Sequence, residues 1–172
     1  MFIQDGDVLL NQLMQDYGNE LKRIAYLYVN DRAECEDIIQ EVFIACYQSL
    51  STFRQDSSYK TWLIRITINK CKDHKRRWSI KNLIYKPAIY PIETNQSPEV
   101  NLMQRENTSE IVEQLASLSR KYKEVLILYY YQDMTMKEIS EVLNISINTV
   151  KSRLLRGKKM LQSKLERSYS FE

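Results

Sequence analysis

The sequence predicts an all-α fold of two small helical domains joined by a flexible linker, and three observations carry that prediction. Only three glycines and three prolines occur in 172 residues, too few for a β-rich chain, which needs turn residues every ten positions or so. Apolar residues recur at helical spacing in long stretches that contain neither. All three prolines, Pro87, Pro91 and Pro98, fall in the stretch YKPAIYPIETNQSPEVN. Proline blocks helix interiors, and residues 93–96 supply no periodic apolar face. The expected division is a domain over 1–78, a linker over 79–108 and a domain over 109–172. Domains this small have marginal cores and lean on partners.

Several function classes are excluded early. Gly6, Gly18 and Gly157 stand far apart, so no glycine-rich loop can cradle a phosphate. A zinc site or a Ser-His-Asp triad would have to be built around the single histidine, His74. No apolar run approaches the roughly 18 residues of a membrane span, and the N-terminal stretch MFIQDGDVLL has neither a charged n-region nor an h-region. Cys35, Cys46 and Cys71 form no C-x-x-C pair, which suggests a reducing compartment. The expectation is a mostly helical, cytosolic protein, a binder rather than an enzyme.

Charge is unevenly distributed. Residues 1–56 hold four bases against ten acids, 57–78 seven bases against one acid, and 151–167 seven bases against one acid. Such blocks are solvated faces or partner surfaces.

In the first domain, Asp31-Arg32-Ala33-Glu34 reads as a capping box. Behind it Cys35, Ile38, Ile39, Val42, Phe43 and Cys46 form one buried helical face. Glu34, Asp37, Gln40 and Glu41 lie opposite. Acids suit a helix N-terminus, but Asp37 and Glu41 repel at i, i+4. Either the stripe is merely solvated or it awaits a basic partner. Residues 59–77 alternate Ile64, Ile66 and Ile68 like a strand, yet lack Gly and Pro, which favours a helix. On that helix Arg65, Asn69, Lys72 and Arg76 form a polar stripe, with Tyr59 and Trp62 on another flank. The set suits phosphate contacts and base stacking, or equally an amphipathic helix with snorkelling bases.

In the second domain, Leu115, Leu118, Val125, Leu126 and Leu128 supply two supporting helices. Thr135-Met136-Lys137-Glu138 is a second capping box, opening a short helix with Met136, Ile139, Val142 and Leu143 inward. Asn144 tolerates the left-handed conformation of a tight turn. Ser146 can cap a longer helix with Ile147, Val150, Leu154, Gly157 and Leu161 inward. This is the outline of a helix-turn-helix. The outward face would carry Asn148, Thr149, Lys151, Ser152, Arg156 and Lys159, with short polar groups for base edges first and phosphate-binding charges later.

With these segments laid out, the chain resembles a bacterial sigma factor of the extracytoplasmic function (ECF) type. AECEDIIQEVFIACYQSLSTF followed by YKTWLIRITINKCKDHKRR is similar to that family's domain 2, and LSRKYKEVLILYYYQDMTMKEISEVLNISINTVKSRLLRGKKML to its domain 4. The resemblance implies a transcription initiation factor whose partners are core RNA polymerase, promoter DNA and an anti-sigma factor, with no small-molecule substrate. It implies a cytoplasmic location, free or held at the membrane by the anti-sigma factor. Asp37, Gln40 and Glu41 fall on the family's polymerase-binding core. The helix carrying Tyr59, Trp62, Arg65, Asn69, Lys72 and Arg76 would face the melted −10 element, and Ser51–Ser58 would be the loop holding a flipped base. Asn148, Thr149, Lys151, Ser152, Arg153, Arg156 and Lys159 would meet the −35 duplex. Two positions depart from the family's habit: Asn148 stands where Gly is common, and Gly157 where Ala is common. The rival readings are a stand-alone helix-turn-helix regulator, whose first domain dimerises or senses a ligand, and a nucleic-acid-modifying enzyme.

Overall fold

The computed structural model describes residues 2–54, 56–84 and 102–169. Among them run seven α-helices: α1 (Phe2–Val29), α2 (Arg32–Ser49), α3 (Tyr59–Ile84), α4 (Leu102–Ser117), α5 (Arg120–Leu126), α6 (Met136–Leu143) and α7 (Ile147–Tyr169). A 3-10 turn, Leu50–Thr52, follows α2, and a π-helical turn, Ile127–Tyr131, continues α5. The span expected as a linker is helical at both ends, through Ile84 and from Leu102. Neither end contains proline. Residues 85–101, with all three prolines, lie outside the described residues.

The first half is a three-helix unit. In α1, Leu21, Ile24, Ala25 and Tyr28 are buried at i, i+3, i+4 and i+7. Asn30, at φ 55°, ends the helix with its N–H on the Tyr26 carbonyl at 2.7 Å, the left-handed stop that Asn tolerates. The next residue, Asp31, caps α2 by accepting the Glu34 N–H at 2.8 Å. Two adjacent residues thus stop one helix and start another, which folds α2 back along α1. Cys35, Ile38, Val42, Phe43 and Cys46 are buried as expected, and Ile39 is half-buried. The strand-like alternation in 59–77 is overridden: α3 buries Leu63, Ile64, Thr67, Ile68 and Cys71. Period 3.6 wins because no breaker interrupts this stretch.

In the second half, α4, α5 and α6 pack around α7, and Val112, Leu115, Leu118, Val125, Leu126, Ile139, Val142, Val150 and Leu154 are buried. Ile147, expected to face inward, is 42% exposed. It sits in the first turn of α7, ahead of Val150, where the helix first meets the core.

The buried side chains form one cluster through both halves, with α1 against α4 and α3 against α6. The joint contains charge. Lys123 and Glu124 are 2% and 3% exposed. Lys123 Nζ donates to the carbonyls of Tyr28 at 2.9 Å and Ala116 at 2.6 Å, near the ends of α1 and α4. Helix C-termini leave carbonyls without intrahelical partners and carry partial negative charge, so one ammonium serves two helices. The buried Tyr28 hydroxyl donates to Glu124 Oε1 at 2.9 Å. Burial, aided by the nearby Lys75 charge, pulls the Lys123 pKa down to about 8. Burial and the Glu124 carboxylate push the Tyr28 phenol up.

All three cysteines are free and buried. Burial raises the Cys35 thiol to about 12 and the Cys46 thiol to about 11, and pushes the Cys71 thiol up as well. Above pH 9 the unfolded chain loses thiol protons that the folded chain keeps. Stability should then fall by on the order of 1 kcal/mol per pH unit for each thiol. Tyr28 adds to that loss above pH 10. Lys123 opposes it between pH 8 and 10.5, one group against three thiols. Urea unfolding at pH 9 and pH 10.5 should show the drop, and Cys46→Ala should make it shallower. A pH-independent midpoint would contradict these thiol environments.

Candidate functional site

Both capping signals of the second half are realised, the first in full. Glu138 N–H donates to Thr135 Oγ1 at 3.3 Å, and Glu138 Oε2 accepts from Thr135 N–H at 2.8 Å. The Thr135 N–H and the Thr135 hydroxyl, both donating to that carboxylate, hold the Glu138 carboxyl below its ordinary value. Asn144 adopts φ 53° and ψ 52°. The Ser140 hydroxyl donates to the Ile145 carbonyl at 2.7 Å, fastening the turn. Ser146 Oγ then accepts the Thr149 N–H at 3.1 Å and starts α7.

On α7, Asn148, Lys151, Ser152, Arg156 and Lys159 are exposed, and Thr149 and Arg153 half-buried. Thr149 and Ser152 are partly engaged: the hydroxyls of Ser146 and Thr149 lie 2.8 Å apart, and Ser152 donates to the Thr149 carbonyl at 3.0 Å. Lys151, Arg153, Arg156 and Lys159 form no ion pair among the described residues. Leu155, 67% exposed, interrupts this basic surface and was not singled out by the sequence reading. Gly157 is buried at the crossing with α5. A Cβ there would stand 3.2 Å from Tyr122 Cβ and 3.3 Å from Leu126 Cδ1.

The acidic stripe of α2 finds bases inside the chain. Glu41 takes Arg77 at 2.9 Å and Lys70 at 3.5 Å, both from α3. Burial works against its charge, but Arg77 and Lys70 outweigh burial and hold its carboxyl below the ordinary value. Glu36 pairs with Lys22 at 3.0 Å. Glu34 makes only half a capping box, since its carboxylate lies 3.8 Å from His74 Nδ1. Burial raises the Glu34 carboxyl, with the His74 charge opposing. For Glu41 a basic partner thus lies inside the chain, 36 residues away. Asp37 and Gln40 stay exposed. Beside them an open groove of about 740 Å³ runs between α1 and α2, lined by Leu10, Met14, Phe43, Ile44, Tyr47 and Gln40. Ile44 and Tyr47 are 57% and 47% exposed. The available signal was their place off the buried face: Ile44 follows Gln40 by one turn.

The stripe on α3 is divided. Asn69 and Arg76 are exposed, with Arg76 3.5 Å from Asp73. Arg65 and Lys72 are half-buried and turned to the second half of the chain. Arg65 Nη2 donates to the Glu141 carbonyl of α6 at 3.3 Å, and Lys72 Nζ lies 3.5 Å from Glu124 Oε1. Tyr59 and Trp62 share an aromatic cluster with Phe53, at ring distances of 4.8 Å and 4.6 Å. The sequence reading left out Phe53, which ties the loop before α3 to that helix. Gln55 of that loop lies outside the described residues. No cluster of three or more metal-ligating side chains occurs among the described residues, and none of their helices is long and apolar enough to cross a membrane.

Residues 13–79 match the family model of sigma-70 region 2, and residues 108–161 that of sigma-70, region 4. RNA polymerase sigma factor SigZ of Bacillus subtilis is 30% identical over 157 residues, covering 91% of this chain and 87% of the relative. The chain belongs to the ECF family of RNA polymerase sigma factors. A second relative, the ECF RNA polymerase sigma-E factor of Haemophilus influenzae, is 27% identical over 95% of this chain and 92% of its own length. The fold is shared with the sigma factor RpoE solved in complex with the anti-sigma factor NepR from Bartonella quintana. That match has a TM-score of 0.75 at 20% identity and covers 91% of this chain and 96% of that one. The comparisons favour a sigma factor over a stand-alone helix-turn-helix regulator. The capped short helix, left-handed turn and basic α7 lie within the region 4 match, and the α2 and α3 surfaces within the region 2 match.

Gly157 gives a test of how this sigma factor packs its helix-turn-helix. In an open helix Gly→Ala stabilises by about 1 kcal/mol. Here Gly157→Ala should give no such gain, because the new methyl crowds Tyr122 and Leu126. Urea denaturation of both proteins reads the difference. A full gain would mean that α5 and α7 separate freely.

Proposed function

We propose that this sigma factor binds core RNA polymerase through the Asp37, Gln40 and Glu41 surface of α2 and directs it to promoters by two DNA contacts. The α3 stripe, Arg65, Asn69, Lys72 and Arg76 with Tyr59 and Trp62, takes the opened −10 element. The α7 face, Asn148 to Lys159, takes the −35 element as duplex. The carrying observation is the α7 surface: a fully capped helix-turn-helix ends in a helix whose Lys151, Arg153, Arg156 and Lys159 form no ion pair among the described residues. Unpaired Lys and Arg on one helix face suit phosphates and guanine edges. The exposed apolar groove beside Gln40 supports α2 as a protein-binding surface, since soluble proteins seldom leave such patches without a partner. The domains assigned are 1–78 for polymerase and the −10 element and 109–172 for the −35 element. An anti-sigma factor is the expected third partner. The role contains no catalytic step and needs no cofactor, and the protein works in the cytoplasm, where its polymerase is.

Run-off transcription with core polymerase on a promoter library tests the reading. Arg156→Ala should lower −35-dependent transcription and leave polymerase binding intact. A phosphate contact would show as a salt slope reduced by about one. A guanine contact would show as about 1–3 kcal/mol of discrimination lost at one base pair. Wild-type activity in that variant would remove α7 from the −35 element. Asp37→Lys combined with Gln40→Lys should weaken core association by several kcal/mol, since like charges placed at an interface are costly. Unchanged affinity in a competition assay would move the polymerase contact elsewhere.

A further inference from the structure

Residues 1–56 hold ten acids and only four bases, yet three of those bases, Lys22, Arg23 and Arg32, line one open cleft of about 690 Å³. Its walls come from α1, α2, α4 and the π-helical turn. Lys22 is held at 3.0 Å by Glu36, the one carboxylate among the described lining residues. Arg23 and Arg32 are exposed and form no ion pair among the described residues. Tyr26 and Tyr131 line the same space, one from each half of the chain. None of these residues belongs to the surfaces assigned above to polymerase or DNA. We propose that this cleft is a binding site for a nucleoside monophosphate, with Arg23 and Arg32 on the phosphate and Tyr26 and Tyr131 against the base.

Charge, shape and chemistry each narrow the ligand. Three bases against one carboxylate leave an excess of two positive charges in the cleft, and a phosphate monoester carries about −1.5 to −2 at pH 7. A guanidinium is weakly hydrated and presents a planar fork of donors that matches two phosphate oxygens at once. In an acid-rich segment such groups ordinarily find a carboxylate, so two that stay unpaired in one cleft are open to an outside anion. The anion must also carry a flat apolar body, because Tyr26 and Tyr131 share the cleft with Leu27 and Val112. A nucleobase offers a π-face to aromatic side chains whatever its sequence of polar edges. The volume lies within the range of about 300–1,000 Å³ usual for small-molecule sites, which favour the junctions between domains. An acidic peptide would satisfy the arginines and leave the two tyrosines without a ring to meet.

Isothermal titration of the full-length protein with adenosine monophosphate tests the site, with adenosine and inorganic phosphate as the two parts of that ligand. The nucleotide should saturate a single site, and each part alone should bind about tenfold more weakly. Arg23→Gln combined with Arg32→Gln should weaken the nucleotide about tenfold, since two charge-assisted donors are lost. Tyr131→Leu should weaken the nucleotide several-fold and leave inorganic phosphate unchanged, a split that a general loss of structure would not produce. Lys137→Gln, at an exposed base on α6, should match wild type. Amide hydrogen exchange over 127–131 gives a second reading: the nucleotide should slow it in wild type and not in the double arginine variant. Absence of saturable nucleotide binding would overturn the proposal. So would undiminished affinity in the arginine variant, or an equal loss in Lys137→Gln, which would mark diffuse charge attraction. Inorganic phosphate binding as tightly as the nucleotide would remove the base from the site and with it the ligand class.

Discussion

The Lys123 ammonium, seated on the last carbonyls of two helices, is the contact on which the arrangement depends. Its bonds to Tyr28 and Ala116 fix where α5 begins relative to α1 and α4. The adjacent Glu124 then reaches Tyr28 and Lys72. Everything in the second half follows α5: the crossing at Gly157 sets α7 against it, and α6 packs on α7. A buried cation is costly unless its donors are met. Here the unpaired carbonyls that end every helix supply the acceptors, so two deficits cancel.

This geometry gives the basic surfaces different standing. The bases Lys151, Arg153, Arg156 and Lys159 of α7 form no ion pairs among the described residues, so an anionic partner would meet them at little desolvation cost. The bases of α3 are already committed, Lys70 and Arg77 to Glu41, and Lys72 to Glu124. On the proposed reading, a promoter strand would compete with these oxygens for Arg65 and Lys72 and would bring a compensating phosphate charge.

Much of this was legible in the sequence where the signal is local. Thr135 and Glu138, Asn144, and Ser146 each act within four residues of their position, and all three do what their chemistry indicates. The buried face of α2 follows from spacing alone. Contacts between distant segments were not legible. Nothing near Glu41 indicates that Arg77 and Lys70 will neutralise it. Lys123 and Glu124 lie in RKYKEV, which reads as a solvated helix start, because periodicity locates apolar burial and is silent on paired buried charge. Ile44 and Tyr47 were passed over for a related reason: their place off the buried face marks them as exposed, but what they line depends on the neighbouring helix. The closed joint and the apolar groove are thus products of the tertiary fold.

The central claim is that Lys123 and Glu124 hold the two halves together in the free chain. Pulsed electron-spin measurements between nitroxides on Gln48→Cys and Lys158→Cys test it most directly. Both sites are exposed, whereas the native thiols are buried and resist labelling. A single narrow distance distribution in the wild-type protein, broadened by Lys123→Met, is the predicted result. A broad distribution in the wild type, or one that Lys123→Met leaves unchanged, would contradict the account.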